Sequence, residues 1–471
     1  MAATDLVTAL RAGDTTALPE GELAAWTERQ RWFASKARDV GEFHVLDVVA
    51  VRDGDPLVAI VVLEARFGAG THELYQLPIG VRPQEEGWAD GVICTGGGYV
   101  VYDALTDPAG NAAIAERLGA NAEVAGPTGC VHMQWDPRFG HPGPAAETRL
   151  VSTEQSNSSV VFDDRFVLKV FRRLEPGTNP ELEMLRFLAA HEFGNIAALA
   201  GWYGYAGELL DATLGIMQRF VAGARDGWEL VLDALAAEDE SLLGLLAELG
   251  AVTGRMHAAL ASDASDPDFA PEEPSEENVS LLTATIDEQI ERLFLDLPDL
   301  EALQPIAGRG EEVRDLLQSL SHTGVGGKLI RCHGDYHLGQ TIYNQEGWTV
   351  LDFEGEPARP LLERRRKRSP LRDVAGMLRS FAYVASSGVV LRDADTDSDW
   401  EASARERFLA GYLGEIDRAL LPAGQAGMEN LLAIFELERA IYELRYELNH
   451  RPDWVRVPVA GILRLLEQEL A

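Results

Sequence analysis

An α+β fold, β-rich towards the N-terminus and mainly helical towards the C-terminus, is what the 471-residue sequence predicts. Residues 42–105 break into short runs rich in Val, Ile and Tyr, a glycine- and proline-rich stretch interrupts the chain at 139–150, and helical periodicity dominates from about Trp228 onward. With 46% hydrophobic residues, a chain of this length can bury more than one core. Three segments are expected: an N-terminal cap at 1–145, a small lobe of strands ending in a hinge at 146–225, and a mainly helical lobe at 226–471.

Each element has its own signal. The runs EFHVLDVVAV, PLVAIVVLEARF, HELYQLPIG and GYVVYDAL are strand-like and are separated by Gly, Pro and Asp. After the boundary FGHPGPAAETRL, the stretch SSVVFDDRFVLKVFRR reads as a hairpin turning at Asp163–Asp164, because Asp tolerates the left-handed backbone a tight turn needs. NPELEMLRFLAAHEF then starts a helix with Pro180 in its first turn, where the missing N–H costs nothing. The acidic, proline-containing SDASDPDFAPEEPSEEN reads as a loop between helices.

Charge and cysteine usage exclude several classes of function. A formal net charge of −35 repels a polyanion, so no nucleic-acid partner is expected. The one basic run, ERRRKRSPLR at 363–372, has no interleaved aromatics and reads as a solvated loop or as local charge compensation beside an acidic site. Cys94, Cys130 and Cys332 are odd in number and far apart, which fits neither a disulfide framework nor a zinc site and points to a reducing cytoplasm. The N-terminus lacks a basic region followed by an apolar core, and no apolar run approaches the roughly 18 residues that span a bilayer. A monomer or weak homodimer without membrane contact is expected.

The residues that carry chemistry are few. Only four of the 41 basic residues are lysines: Lys36, Lys169, Lys328 and Lys367. Lys169, alternating with large apolar residues in FVLKVF, is either a lysine snorkelling from a sheet face or half of a lysine–glutamate pair. Protein-kinase-like lobes use such a pair to hold nucleotide phosphates, and Glu183 or Glu181 on the next helix would complete it. In LIRCHGDYHLGQTIYN, Asp335 follows an apolar strand and Gln340 comes five residues later. A kinase-type catalytic loop needs that order: a carboxylate to accept the proton of the attacking hydroxyl, then an amide oxygen for a metal ion. The next strand, WTVLDFEGEP, ends in Asp352, a carboxylate suited to Mg2+. His333 and His337 have zinc-like spacing but no further Cys or His nearby. GVGGKLI fails as a phosphate-binding loop, since His322 stands where the first glycine belongs.

At these residues the chain resembles a family. HGDYHLGQ, followed by LDFEGEPARP and SPLRDVAGMLRS, is similar to the aminoglycoside-phosphotransferase-like kinases, most closely the actinobacterial maltokinases and glucosamine kinases. The likeness extends through QRWFASKARDV, EQSNSSVVFDDRFVLKVFRR, MQRFVAGARDGW and FELERAIYELRYELNHRPDW, nearly the whole chain. It implies a bilobal, protein-kinase-like fold with a β-rich N-terminal cap, and ATP and Mg2+ as reactants. It makes Asp335 the base, Gln340 and Asp352 metal ligands, and Glu354 a candidate for a second magnesium. Lys169 would hold phosphates with Glu183 as partner. Ser156, Asn157 and Ser158 would replace a glycine-rich loop, while Gln218, Arg219 and Phe220 would form the adenine hinge. Asp373 would support the catalytic loop.

The acceptor is expected to be a small sugar. In LLAIFELERAIYELRYELN, Glu436, Arg439, Tyr442, Glu443 and Tyr446 recur at helical spacing, either as a salt-bridged surface or, as the resemblance implies, as part of the sugar site. His337 and Trp400 are further candidates. Maltokinases carry a glycine-rich RWFGGKGR-like element and a lysine where this chain has RWFASKAR and Arg439. Acid around 393–401 and along the last helix suits a cationic amino sugar, which favours glucosamine phosphorylated at its 6-hydroxyl over maltose. Aminoglycoside phosphorylation and a non-catalytic pseudokinase are the remaining alternatives.

Overall fold

The computed structural model describes residues 3–143, 145–151, 156–208, 210–239, 241–321, 326–356, 359–392 and 399–470. They form two compact units, Met1–Arg186 with Ala197–Ala222, and Phe187–Ile196 with Gly223–Ala471.

The first unit is built on two antiparallel sheets. One runs Val40–Arg52, Leu57–Phe67, His72–Pro83, Tyr99–Asp103, Val92–Gly96 in spatial order. Leu57–Phe67 is buried along almost its whole length, which is why it reads as a continuous apolar run rather than an alternating one. Its alternate residues serve different cores: Ala59, Val61 and Leu63 pack with Trp26, Phe33 and Tyr75, while Val58, Ile60 and Val62 pack with Val131, Tyr203 and Leu214 of the second sheet. That second sheet has seven strands, ordered Glu123–Ala125, Gly129–Trp135, Leu199–Gly207, Asp211–Arg219, Phe166–Val170, Ser158–Phe162, Thr148–Val151. The hairpin between Ser158–Phe162 and Phe166–Val170 turns through Asp163 and Asp164 at φ values of 50° and 47°. The helix Pro180–Ala190 begins where Asn179 Oδ1 accepts from the Glu181 N–H at 2.8 Å.

Sheet pairing crosses the expected segment boundary near residue 145. The strands 123–125 and 129–135, assigned from sequence to the cap, are hydrogen-bonded into the second sheet. Arg173–Leu174, from the other side of the boundary, pairs with Tyr75 and Leu74 of the first sheet. Arg172 beside it is buried, with its Nη2 2.5 Å from Asp103 Oδ2 and its Nε donating to Ser158 Oγ at 2.8 Å.

The second unit is mainly helical, with one three-stranded sheet of Arg225–Asp226, Thr341–Asn344 and Gly347–Val350. The helices Leu242–Leu260 and Asp399–Glu415 pack at close range because Gly250 and Gly411 lie at their crossing, where a Cβ would run into the backbone of the facing helix. A separate core joins Gln425–His450 and Arg456–Leu470 to Gly310–Ser321 through Leu437, Ile441, Ile462 and Leu317. No helix among the described residues is long and apolar enough to cross a membrane.

Candidate active site

The second unit holds Asp335 in a loop fixed from several directions. Asp373, fully buried near the start of the helix Leu371–Arg392, accepts the backbone N–H of His333 at 2.7 Å and that of Gly334 at 2.9 Å. His257 Nε2 lies 3.1 Å from the same carboxylate, and its Nδ1 lies 3.1 Å from the Tyr412 hydroxyl. Burial alone would raise the pKa of Asp373, but the hydrogen bond and charge of His257 outweigh it and hold the group below the usual carboxylate value. His333 bridges the loop to the following strand, with Nε2 2.8 Å from the Leu351 carbonyl and Nδ1 accepting the Asp335 N–H at 3.4 Å. Both ring nitrogens are therefore engaged, which leaves none for zinc. Gly376 lets the loop approach the helix, since a Cβ there would lie 2.6 Å from the Tyr336 carbonyl oxygen.

Gln340 Nε2 donates to Asp352 Oδ2 at 3.2 Å, so the two residues expected to hold a metal are in contact. Asp352 has φ of 60°, a left-handed conformation uncommon outside glycine, and the chain turns sharply there. Glu354, two residues on, lies 4.0 Å from Arg364 Nη1. An amide next to a carboxylate is a hard oxygen donor set and fits Mg2+.

Among the residues assigned to the nucleotide, Lys169 Nζ lies 2.7 Å from Glu181 Oε2, both side chains buried. This corrects the pairing expected for Glu183. Positions two apart on a helix point about 200° away from each other, so Glu181 and Glu183 cannot both face the strand. In the hinge, the Arg219 N–H donates to the Ala198 carbonyl and the Phe220 N–H to the Arg165 carbonyl, each at 2.8 Å. These two backbone donors are therefore engaged within the first unit, and Gln218 Nε2 donates to the Ala197 carbonyl at 3.4 Å. Ser156 is exposed, Asn157 is buried, and the Ser158 hydroxyl is held by Arg172.

Asp335 opens onto a cavity of about 470 Å3 in the second unit. His337, Arg439, Tyr442, Glu443 and Tyr446 all line it, bringing together most of the residues assigned to the acceptor. Arg439 Nη2 is 3.3 Å from Asp335 Oδ1, with Glu356 and Glu443 each 3.7 Å from the same guanidinium. Burial would weaken its hold on a proton, but Asp335, Glu443 and Glu356 outweigh this and raise its pKa. His337, 4.0 Å from Asp335, has its pKa lowered mainly by burial, against the opposing pull of Asp335.

Two acceptor assignments do not hold. Glu436 is 3% exposed and bound by Arg405 at 2.6 Å and Arg464 at 2.7 Å, so it joins three helices and does not line the cavity. Trp400, at the start of the helix Asp399–Glu415, is also absent from the lining. The acidic residues 393–398 lie outside the described residues. Sequence reasoning missed Glu356, Tyr383, Glu447 and Trp228, which also line the cavity, as do Gly339, Ser380 and Arg451. Glu447 could have been found by carrying the helical stripe one turn past Glu443. Glu356 and Trp228 lie within the stretches LDFEGEPARP and MQRFVAGARDGW, whereas Tyr383 comes from a distant helix and leaves no local signal.

A model of the phosphotransferase enzyme family matches residues 147–421, more than half of the chain. The chain belongs to that family. A second model, the maltokinase N-terminal cap domain, matches residues 26–107 of this phosphotransferase. Among its relatives is a glucosamine kinase of Streptacidiphilus jiangxiensis, 29% identical over 349 residues that cover 70% of this chain and 76% of that one. Another, from Mycolicibacterium smegmatis, is 26% identical over 333 residues, covering 68% and 80%. The fold matches a solved glucosamine kinase in complex with glucosamine, ADP and inorganic phosphate, with a TM-score of 0.69 at 22% identity over 94% of this chain and 98% of that one. A second crystal form of a glucosamine kinase gives 0.71 at 22% identity over 92% and 96%.

Proposed function

We propose that this phosphotransferase is an ATP-dependent kinase of glucosamine that forms glucosamine 6-phosphate in a reducing cytoplasm. The observation that carries the reading is the cavity in which Asp335 stands beside the carboxylates of Glu356, Glu443 and Glu447 and the rings of Tyr442 and Tyr446. Aromatic faces suit a sugar ring, and a wall with four carboxylates against the two guanidiniums of Arg439 and Arg451 favours an ammonium over a neutral substituent. The glucosamine kinase relatives support the same acceptor.

In this reading Asp335 accepts the proton of the sugar hydroxyl as its oxygen bonds to the γ-phosphorus and the bond to the ADP oxygen breaks. Arg439 orients the Asp335 carboxylate from 3.3 Å. Lys169, steadied by Glu181, holds the nucleotide phosphates. Gln340 and Asp352 would hold Mg2+, with Glu354 close by, and the ion would neutralise charge on the phosphates.

Coupled ADP release with glucosamine, N-acetylglucosamine, glucose, maltose, an aminoglycoside and no sugar tests the acceptor. Glucose and N-acetylglucosamine lack the ammonium and should each lose about 2–5 kcal/mol of transition-state binding. Equal efficiency with glucose and glucosamine would overturn carboxylate recognition. The maltokinase-type cap favours maltose as the second reading, and turnover with maltose alone would establish it.

A further inference from the structure

The basic run at 363–372 is the sequence feature that phosphoryl transfer leaves unused. Several of its cations compensate local charge: Lys367 pairs with Glu272 at 2.7 Å, Arg365 with Asp268 at 3.7 Å, and Arg372 with Glu438 at 3.0 Å. Arg366 and Arg368 differ. Among the described residues neither has a carboxylate within the 4.0 Å of an ion pair, in a chain with 76 acidic and 41 basic residues. Both line a crevice with Arg359, Arg364 and Arg372, and its floor includes Gly334 and Gly355, whose missing side chains leave the backbone open. Of the five guanidiniums there, Arg359 pairs with Glu356 and Glu363, Arg364 lies 4.0 Å from Glu354, and Arg372 pairs with Glu438. Arg368 is half-buried, and burial followed by repulsion from Arg372 and Arg359 lowers its pKa. The surplus of positive charge there is that of Arg366 and Arg368.

We propose that this crevice binds a small tetrahedral oxyanion of the phosphate class, at a second site beside the acceptor cavity. The crevice itself holds about 20 Å3, little more than one water, so the anion sits at its mouth, where Arg366 is exposed. The planar forks of Arg366 and Arg368 suit two oxygens of one anion, and the charge-assisted bonds offset the repulsion between guanidiniums. The site adjoins the chemistry on both sides. Gly334 precedes Asp335, and Arg364 Nη1 donates to the Glu354 carbonyl at 3.2 Å. An anion held here would tie the catalytic loop to the segment that follows Asp352. Two sources share the chemistry, free inorganic phosphate and the phosphate group of a phosphorylated sugar.

Titration calorimetry of the full chain with inorganic phosphate, against chloride at matched ionic strength, tests the proposal without depending on any acceptor. Saturable phosphate binding is expected. It should weaken about tenfold or more in Arg368→Gln and in the exposed Arg366→Gln, and stay unchanged in Asp335→Asn. Arg368→Lys, which keeps the charge and loses the fork, should fall between, and it serves if Arg368→Gln does not fold. In a second arm, glucosamine 6-phosphate binding that falls in Arg368→Gln would identify the sugar phosphate as a ligand of the crevice. Sugar-phosphate binding insensitive to Arg368→Gln would leave inorganic phosphate as the ligand. Phosphate binding that is equal in wild type and both glutamine variants, or that is reproduced by chloride, overturns the site.

Discussion

Replacing Asp373 with asparagine asks how much of catalysis depends on the grip on the catalytic loop. The carboxylate accepts from the His333 N–H at 2.7 Å and the Gly334 N–H at 2.9 Å, and lies 3.1 Å from His257 Nε2. Asparagine fills the same volume with one acceptor oxygen and one NH2. If the oxygen takes the place of Oδ2, the Gly334 N–H faces another donor and its bond is lost. The remaining two bonds lose their ionic component. Hydrogen bonds to charged groups contribute about 1.5–3 kcal/mol and neutral ones about 0.5–1.5 kcal/mol, so the loss comes to about 3–5 kcal/mol. Urea denaturation measures it, and a domain with an ordinary margin of about 5–15 kcal/mol stays folded. Catalysis should suffer more: a loop displaced by about 1 Å costs on the order of 10²-fold in kcat, read by ADP release. Acid supplies an independent check. Because the folded pKa of Asp373 is lowered, its contribution is present above the unfolded carboxylate value of about 3.9 and is lost as pH falls through the folded one. The stability gap between wild type and variant should therefore shrink below about pH 4. A variant within about 0.5 kcal/mol of wild type, with kcat within about twofold, would refute the reasoning.

Three further outcomes are expected. Asp335→Asn should abolish turnover while nucleotide binding, followed by calorimetry, persists; near-normal turnover would remove Asp335 from the role of base. Glu181→Gln should raise the KM for ATP, whereas Glu183→Gln should leave it near wild type, and the reverse order would restore the pairing read from sequence. Glu443→Gln should destabilise the fold by about 3–5 kcal/mol, as when one partner of a buried pair is removed. The reason is that buried Arg379 donates two bonds to Glu443, at 3.0 and 2.7 Å, and its Nη1 has no hydrogen-bond partner among the described residues. An unchanged urea midpoint would show that Arg379 finds another acceptor.

Local chemistry was the legible part of this molecule. The turn at Asp163–Asp164, the helix start at Pro180 and the meeting of Gln340 with Asp352 each follow from residues within about a dozen positions of one another. The choice between Glu181 and Glu183 depended on the rotation of one helix about its axis, which the sequence constrains weakly because both positions suit a first turn. Glu436 looked like its neighbour Glu443 in the helical stripe. What separates them is Arg405 and Arg464, supplied by two other helices. The anchors His257 and Tyr412 are likewise far from the loop they steady, and nothing beside them in the chain marks them for it.

The exchange of strands between the two sheets of the first unit governs how the chain can be cut. The N-terminal region looks like a module to be removed, yet excising residues 1–145 would strip Gly129–Trp135 from Leu199–Gly207 and the partner strand from Arg173–Leu174. The remnant would present a long unpaired strand edge flanked by the apolar side chains of Tyr203 and Tyr205, the kind of surface that templates intermolecular β-pairing and aggregation. Truncation intended to yield a minimal enzyme should thus give insoluble protein. Fusion partners and affinity tags are better placed at the chain ends, which leave the hydrogen-bonded ladders intact.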